Sequence, residues 1–254
     1  MSANSANYLT RYFAKYRQIL LVGILAVICL AVLGSLLVPG AGNRRVADFS
    51  FPDRVPLTNW ELVEAKPLDQ PKLDRKVLIA SQQYIYKQVD RQIQIDMVYE
   101  VGSLGHSIFY PEARVPIKLK DFQLQNLLEQ NLHQIKGVGF YTLFVYEGRS
   151  HLISCINPHG GSTVLIPQFF ENRYKADLQP SRWLSWLLGR ESLQDRRCLW
   201  THLSTPVDLA ANRELKPDLS KTSAIPAVTD PTFPILEQAW IGWYTWWQPN
   251  FPPH

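Results

Sequence analysis

The pattern of apolar and polar residues begins with an unbroken apolar run. Residues 19–38 contain no charged side chain, and Ser35 is the one residue that interrupts their apolar character. At about 1.5 Å rise per residue, a helix of this length crosses the roughly 30 Å hydrocarbon core of a bilayer. A buried core helix of similar length normally keeps a polar stripe. We therefore interpret residues 19–38 as a transmembrane anchor and residues 1–18 as a cytoplasmic N-terminus.

A cleaved signal peptide is the alternative to an anchor, because basic residues precede the apolar run: Arg11, Lys15 and Arg17. The run is longer than the roughly 7 to 15 residues of a signal-peptide core, and Pro39-Gly40-Ala41 is a poor cleavage site. Both observations favour an uncleaved anchor. Three cations before the run, against two after it, favour a cytoplasmic N-terminus. In a bacterium the rest of the chain would lie in the periplasm, held at the inner membrane by a single pass.

Extended chain and β-hairpins are predicted next. Residues 39–76 form a connector whose prolines forbid a long helix. From Gln82 to Val101, apolar and polar residues alternate on both sides of a polar turn at Asp90-Arg91, which predicts a hairpin. A second hairpin is predicted over residues 139–156, with a turn that contains Gly148.

Two helices are predicted in the same part of the chain. Asp121 can cap a helix over residues 121–137, in which apolar residues keep helical spacing until Gly137 stops it. A short helix over residues 182–189 follows Pro180, and its Trp and Leu side chains cover most of its circumference. We expect this second helix to be buried.

The chain after Val207 loses its periodicity and becomes rich in proline, so residues 208–254 are predicted to be a tail that ends in a Trp-rich segment. Trp240, Trp243 and Trp247 share one face if that segment is helical. Two interpretations stay open: the tryptophans contact membrane lipid, or they pack on the domain. The predicted fold class is α+β, with a single transmembrane helix and one exported domain, residues 77–207, of antiparallel β-hairpins with a few helices.

Composition and charge narrow the function classes. With 46% hydrophobic and 19% charged residues, the chain has the composition of a folded protein. Of its 26 basic residues, five lie within residues 1–47, which hold no acidic residue, so 21 basic residues face 22 acidic ones in the remainder. A neutral body without a run of like charges argues against nucleic acid as a partner.

Few residues carry a recognisable chemistry. The six histidines show no zinc-ligand spacing, and the chain has no GxSxG, Walker or GxGxxG motif, so we expect neither a metal nor a cofactor. Cys155 and His159 place a thiol and an imidazole within five residues, which is a weak signal for nucleophilic catalysis. Catalytic Cys-His pairs normally come from distant segments.

The two cysteines outside the apolar run, Cys155 and Cys198, are a disulfide candidate. In an oxidising compartment they can pair and close a loop of about 43 residues, worth roughly 3 to 4 kcal/mol on the chain-entropy estimate. Two buried, unpaired thiols are the alternative. Arginines between residues 173 and 197 could bind carboxylate or phosphate oxygens. The acidic residues interleaved among them are expected to neutralise them instead.

Several distinctive segments follow one another after the anchor: FPDRVPLTNWELVEAKPL, YTLFVYEGRSHLISCINPHGGSTV, QFFENRY, WLLG and DRRCLWTHLS. In this order the chain resembles the cyanobacterial exosortase system-associated proteins that accompany cyanoexosortase A, and it is similar to the wider class of exosortase accessory proteins. The resemblance covers most of residues 50–207. Its most specific parts are residues 155–164 and 195–204.

The resemblance implies a membrane-anchored partner of exosortase, the multi-pass enzyme that processes proteins bearing a short C-terminal sorting signal. The accessory protein would bind exosortase or its sorted substrates and contact membrane lipid through residues 19–38, without being an enzyme itself. The resemblance also implies that residues of the shared motifs contact the partner: Asn157, Pro158, Gly160, Gly161, Ser162, Thr163, Gln168, Asn172, Arg173, Arg197 and Trp200.

The chain departs from the wider accessory class at residues 105–109, GHSIF, where no cysteine follows the His-Ser pair. Two other functions stay open. One is a periplasmic thiol-dependent hydrolase or transferase that uses Cys155 and His159. The other is an exopolysaccharide-binding module, in which exposed aromatic residues form a sugar platform: Trp183, Trp186 and the cluster from Trp240 to Trp247.

Overall fold

The computed structural model describes residues 3–37, 48–68, 78–101, 121–187, 190, 192, 194–207 and 230–253. The chain forms two compact units, Met1–Asn43 and Arg44–His254. The expected segment at residues 105–109, the proline-rich stretch 208–229 and the predicted helix end at Leu188 and Gly189 lie outside the described residues.

The first unit contains a single long helix, α1, Ala3–Leu37. Residues Lys15–Gly34 within it are on average apolar enough, and long enough, to cross a membrane, and none of them is buried. Length and composition alone support this interpretation, and a signal sequence near the N-terminus has the same properties. The helix begins well before the predicted residue 19, because residues 3–18 continue it without a Gly or Pro to stop it.

The second unit is built on an antiparallel sheet of seven strands in the order β1-β2-β3-β7-β6-β5-β4. The strands are β1 Glu61–Lys66, β2 Leu78–Gln88, β3 Arg91–Glu100, β4 Leu132–Ile135, β5 Gly139–Tyr146, β6 Arg149–Ile156 and β7 Cys198–Pro206. Within the described residues of this unit, four helices accompany them: α2 Asp121–Gln130, α3 Ile166–Asp177, α4 Pro180–Leu187 and α5 Phe233–Trp247. The α+β class and both predicted hairpins are confirmed, with Gln88 facing Arg91 and Tyr146 facing Arg149 at the two turns.

One face of the sheet packs against α5. Trp240, Trp243 and Trp247 are at most 1% exposed and lie among the apolar side chains of the central strands. The ring of Trp243 meets Tyr84 edge to face at a centroid distance of 5.3 Å. Packing on the domain is therefore the correct interpretation of these three tryptophans, and their burial leaves no surface for lipid or for a sugar. Burying rings of this size is among the largest apolar contributions a small core can have.

The connector and the Trp-rich segment belong to the same unit as the sheet. Tyr84 and Tyr86 on β2 donate hydrogen bonds from their hydroxyls to the carbonyls of Pro52, at 2.7 Å, and Val55, at 2.6 Å. These bonds hold the proline-containing chain extended along the sheet. The expected boundaries at residues 76 and 207 therefore differ from the structure, in which Arg44–His254 is one unit.

Two helix predictions need correction. The helix from Asp121 ends at Gln130, and Leu132–Ile135 forms β4. Asn131 marks the change, because its side-chain amide donates to the Leu127 carbonyl at 2.8 Å while its own carbonyl accepts from Leu143 N of β5 at 3.2 Å. Pairing with β5 thus overrides the helical spacing, and Gly137 lies in the turn between β4 and β5.

The second correction concerns α4, which was expected to be buried. Trp183 is 41% exposed and Leu184 is 59% exposed, while Arg182 on the same helix is buried. The helix turns its arginine toward the domain because Arg182 donates to the Ser192 carbonyl at 2.8 Å. Helix α3, which precedes it, was not predicted from the sequence.

Candidate functional site

The two most specific parts of the resemblance meet at a disulfide. Cys155, on β6, and Cys198, at the start of β7, are bonded, with their Cα atoms 5.8 Å apart and both side chains at most 2% exposed. β6 and β7 are neighbouring strands, and Cys155 faces Trp200 in their register. The candidate disulfide is thus present, and Trp200 is a buried core residue beside it.

The disulfide bond removes the free thiol that catalysis by Cys155 and His159 would require. A bonded sulfur is not a thiolate, so Cys155 cannot act as a nucleophile in this state. His159, which is partly exposed, is instead in contact with the Arg182 guanidinium, and its Nε2 lies 3.9 Å from Asp195 Oδ2. The geometry therefore lends no support to a thiol-dependent enzyme.

The loop after β6 enters the sheet as a short wedge between β5 and β6. Phe140 N donates to the Ser162 carbonyl and Ser162 N to the Val138 carbonyl, both at 2.8 Å. On the other side, Thr163 exchanges two backbone hydrogen bonds with Cys155, at 2.8 and 2.9 Å. Residues 162 and 163 thus bridge two strands that diverge beyond their last register pair, Thr142 and Ile153.

Side chains of the shared motif hold this wedge in place. The Asn157 amide donates to the Gly161 carbonyl at 2.7 Å and to Thr163 Oγ1 at 3.1 Å. The Asn172 amide, from α3, donates to the same Gly161 carbonyl at 2.7 Å. Ser162 Oγ donates to the Phe140 carbonyl at 2.9 Å. These predicted interaction residues are brought together, and their hydrogen-bonding groups order the loop.

Two glycines are required by close backbone approach. A Cβ on Gly139, which has φ of +123°, would lie 2.3 Å from Ser162 N. A Cβ on Gly160, with φ of +76°, would lie 2.7 Å from the Asn172 side chain. Both conformations are ones that residues with a Cβ rarely adopt.

The wedge continues into α3, whose first turn is closed by another motif residue. Gln168 Oε1 accepts hydrogen bonds from Val164 N at 2.9 Å and from Leu165 N at 3.0 Å, so it satisfies two amides that the helix leaves without partners. Pro158 lies in the bend before the wedge and is half-buried.

A cavity of about 500 Å³ opens beside this loop. It is lined by residues of the β4–β5 turn, by residues 160–162, by α3 and by Tyr244 of α5. Glu171 and Lys175, which form an exposed ion pair at 2.7 Å, lie at the rim. Five of the expected interaction residues line it: Gly160, Gly161, Ser162, Gln168 and Asn172.

Of the two arginines in the second motif, Arg197 pairs with a neighbouring carboxylate, as expected, whereas Arg196 donates to the Gln194 side-chain carbonyl at 2.7 Å. Arg197 binds Asp195 in a two-pronged ion pair, Nε to Oδ1 at 2.9 Å and Nη2 to Oδ2 at 2.7 Å, and its third nitrogen donates to the Pro252 carbonyl at 2.6 Å. Burial alone would lower the pKa of Arg197, but the bonds to Asp195 raise it above its usual value. The pair fixes the start of β7 to the C-terminal segment.

Arg173 and Arg182 share the carboxylate of Asp177. Arg173 Nε lies 3.5 Å from Asp177 Oδ2, and Arg182 Nη2 lies 3.7 Å from Oδ1. Burial raises the pKa of Asp177 to about 6, even though the two arginines act in the opposite direction. The Arg173 guanidinium also lies over the rings of Phe170 and Tyr174, at 4.8 and 4.7 Å.

A second polar cluster, which the sequence reasoning missed, is buried on the sheet face opposite α5. Asp96 Oδ2 lies 3.4 Å from His202 Nδ1, His202 Nε2 lies 2.8 Å from His151 Nδ1, and His151 Nε2 lies 3.2 Å from the Tyr146 carbonyl. The chain of contacts crosses β3, β7, β6 and the end of β5. All three ionisable side chains are at most 3% exposed.

Burial and hydrogen bonding shift the pKa of two members of this cluster. Burial and the neighbouring His202 lower the pKa of His151 to about 3, which keeps it neutral. Burial raises the pKa of Asp96, but hydrogen bonds from His202, Gln83 and Gln94 bring it below its usual value. The sequence does contain one aspartate and two histidines on three of the strands. Their proximity can be recognised only when the order of the strands in the sheet is known.

Within the described residues, no group of three or more His, Cys, Asp and Glu side chains is placed to hold a metal ion. No protein-family model, curated protein or solved structure matches the chain. What the chain does is therefore inferred from its own residues and their geometry.

Proposed function

We propose that the chain is an accessory protein of an exosortase-type protein-sorting and exopolysaccharide export system, anchored by α1 in the inner membrane of a cyanobacterium. The N-terminus is cytoplasmic and the second unit periplasmic in this proposal. The second unit binds exosortase or a sorted substrate at the periplasmic face of the membrane.

The observation that carries the proposal is the convergence of the two most specific segments. Residues 155–164 and 195–204 are separated in sequence, yet the disulfide joins them, and the first segment begins on β6 where that strand pairs with Leu199 and Trp200 of β7. A resemblance that rested on unrelated pieces of the chain would not be expected to form one structural unit. The two segments share a core, and the first of them borders a cavity, which supports their being the common scaffold of a binding protein.

The chemistry of the site supports binding rather than catalysis. Cys155 is bonded, and Asn157, Ser162 and Asn172 use their polar groups to order the loop. Beside the loop lies a cavity whose lining includes the exposed ion pair of Glu171 and Lys175. Such a site can hold a ligand by shape and hydrogen bonds.

The disulfide also supports export. Disulfides persist in the periplasm and are rare in the bacterial cytosol, where thiols are kept reduced. Isolation of the full-length protein from membranes without reductant, followed by a maleimide mass tag, tests this point. Cys29 should be labelled once the helix is in detergent, and Cys155 and Cys198 only after reduction. Ready labelling of Cys155 in the folded protein would contradict the proposal and favour the thiol-dependent enzyme.

The partner is tested by co-purification and by sorting. Exosortase should co-purify with the tagged full-length protein in mild detergent, and deletion of the protein should slow processing of an exported reporter that bears the sorting signal. A matched control replaces residues 1–38 with an unrelated single-pass anchor. Co-purification should survive this exchange if the second unit makes the contact. Normal sorting in the deletion strain, together with no co-purification, would overturn the proposed function.

A further inference from the structure

The outer edge of β4 offers backbone groups in the pattern of an open strand. Leu143 N donates to the Asn131 carbonyl, so Asn131 and Leu143 are a hydrogen-bonded pair at the start of the β4–β5 ladder. Such pairs alternate in an antiparallel ladder. Leu132 and Gln134 therefore direct their N–H and C=O groups away from β5. β4 is the last strand of the sheet among the described residues.

The two edges of the sheet differ in how they are protected. β1, at the opposite edge, carries three charged residues, and its register is interrupted by a bulge between Leu62 and Glu64. Glu64 and Lys66 also form an ion pair at 3.1 Å. Charges and bulges are the means by which proteins keep edge strands from pairing. β4, with the sequence LHQI, has an unbroken register and no Lys, Arg, Asp or Glu.

The open edge leads into the cavity beside the loop. Gln134 and Ile135 of β4 line the cavity, and so do residues of the turn that follows. Phe140 and Tyr244 supply aromatic surface, whereas Glu171 and Lys175 supply charge at the rim. A volume of about 500 Å³ is enough for one or two side chains of a chain that runs along the edge.

We infer that the outer edge of β4 and the adjoining cavity bind an extended peptide segment of a partner protein by strand addition. Main-chain hydrogen bonds to Leu132 and Gln134 give affinity, and the cavity selects the side chain that follows the paired residues. The identity of the partner, exosortase or its substrate, rests on the function proposed above. The inferred mode of binding, strand addition, is supported by the unprotected edge of β4 among the described residues and by its continuity with the cavity.

The first test uses labelled peptides of about twelve residues that tile exosortase and the C-terminal segments of its substrates. Binding to the full-length protein in detergent is followed by fluorescence anisotropy. Gln134→Pro removes an outward N–H and breaks no bond to β5, a placement that edge strands tolerate. We expect this change to weaken binding at least about tenfold. Val63→Pro, in the bulge of the opposite edge, is the matched control and should bind as the unmodified protein does.

A second measurement keeps the test independent of the variant. Hydrogen exchange at the amides of Leu132 and Gln134 should slow when a bound peptide saturates the unmodified protein. A photoreactive residue at position 134 should crosslink to the peptide, and one at position 63 should not. These readouts decide the matter if Gln134→Pro fails to fold, as judged by loss of protection of the Cys155–Cys198 bond.

The failures are distinguishable. Co-purification of exosortase that is unchanged by Gln134→Pro would overturn strand addition and leave the proposed function standing. A crosslink from position 134 to residues 102–120 or 208–229 of the same chain would also overturn it, because the edge would then be occupied internally. If exosortase does not co-purify at all, peptides selected from a random phage library test the edge alone. Their binding should then depend on Gln134 as described.

Discussion

The imidazole rings of His151 and His202 lie edge to edge and nearly coplanar in the middle of the sheet, with centroids 5.1 Å apart and planes inclined by 9°. His151 is on β6 and His202 on β7, and Nδ1 of the first is 2.8 Å from Nε2 of the second. Asp96 and the Tyr146 carbonyl lie at the two ends of this pair. The arrangement links two imidazoles and one carboxylate in a buried site.

Acid should destabilise the protein through His151. The folded-state pKa of about 3 lies below the value near 6.5 expected in the unfolded chain. As pH falls below 6.5, His151 becomes protonated in the unfolded chain but stays neutral in the folded chain. The free energy of unfolding therefore decreases, by about 2 kcal/mol at pH 5. Asp96 acts in the same direction because its pKa is lowered, whereas Asp177, whose pKa is raised, acts in the opposite direction.

The contribution of His151 is therefore measured as a difference. Urea unfolding of the full-length protein in detergent, between pH 7.5 and 5, should show a shallower loss of stability for His151→Gln than for the unmodified protein. His133→Gln, at an exposed position of β4, should keep the original slope. Equal slopes for His151→Gln and the unmodified protein would contradict a buried neutral imidazole.

Replacement of Cys155 or Cys198 by Ala should destabilise the protein by similar amounts, roughly 3 to 4 kcal/mol for a loop closed over a separation of 43 residues. The double replacement should cost little more than either single one, because the bond is already lost. Chemical unfolding without reductant measures all three. Costs that add would show that the cysteines contribute separately.

Gly139→Ala should destabilise the loop wedge severely, by more than about 2 kcal/mol, because its Cβ would lie 2.3 Å from Ser162 N. Gly137→Ala is the matched control, since Gly137 also has a positive φ, +84°, but faces open space. It should cost only the conformational strain of about 1 to 2 kcal/mol. The difference in unfolding midpoint between the two variants isolates the close approach of Gly139 to the wedge.

Arg197→Lys should cost about 2 to 4 kcal/mol, because lysine cannot reproduce two parallel bonds to Asp195 and a third to the Pro252 carbonyl. Lys175→Ala removes an exposed ion pair with Glu171 and should cost less than about 1 kcal/mol. Thermal unfolding compares them. A small effect of Arg197→Lys would mean that the charge matters here and the geometry does not.

Trp243→Ala should destabilise the protein by about 3 to 5 kcal/mol, because the ring is fully buried between α5 and the sheet. Ile241→Ala, two residues away on the exposed side of α5, should cost less than about 1 kcal/mol. Comparable costs for the two variants would contradict the burial of the tryptophan face.

The candidate site was only partly accessible from the sequence. Asn157, Gly161 and Asn172 were singled out as interaction residues, and the structure brings them together at one loop. Their hydrogen bonds to the loop could not be foreseen, because α3 was not predicted and Asn172 lies on it. His151, His202 and Asp96 were passed over, since no spacing in sequence marks residues that meet across three strands.

The local elements could be predicted from the order of the residues: the apolar helix, two hairpins and the tryptophan face of α5. Each of these depends on residues close in sequence, whose periodicity and turns are readable. Only the tertiary structure decided that β7 lies between β3 and β6. That placement joins the two hairpins and makes the disulfide and the histidine contact possible. Pairing with β5 makes Leu132–Ile135 an edge strand rather than a helix end. The placement of β7 allows both faces of one sheet to be buried. Pairing between strands that are distant in sequence cannot be recognised from the local residue pattern of either strand.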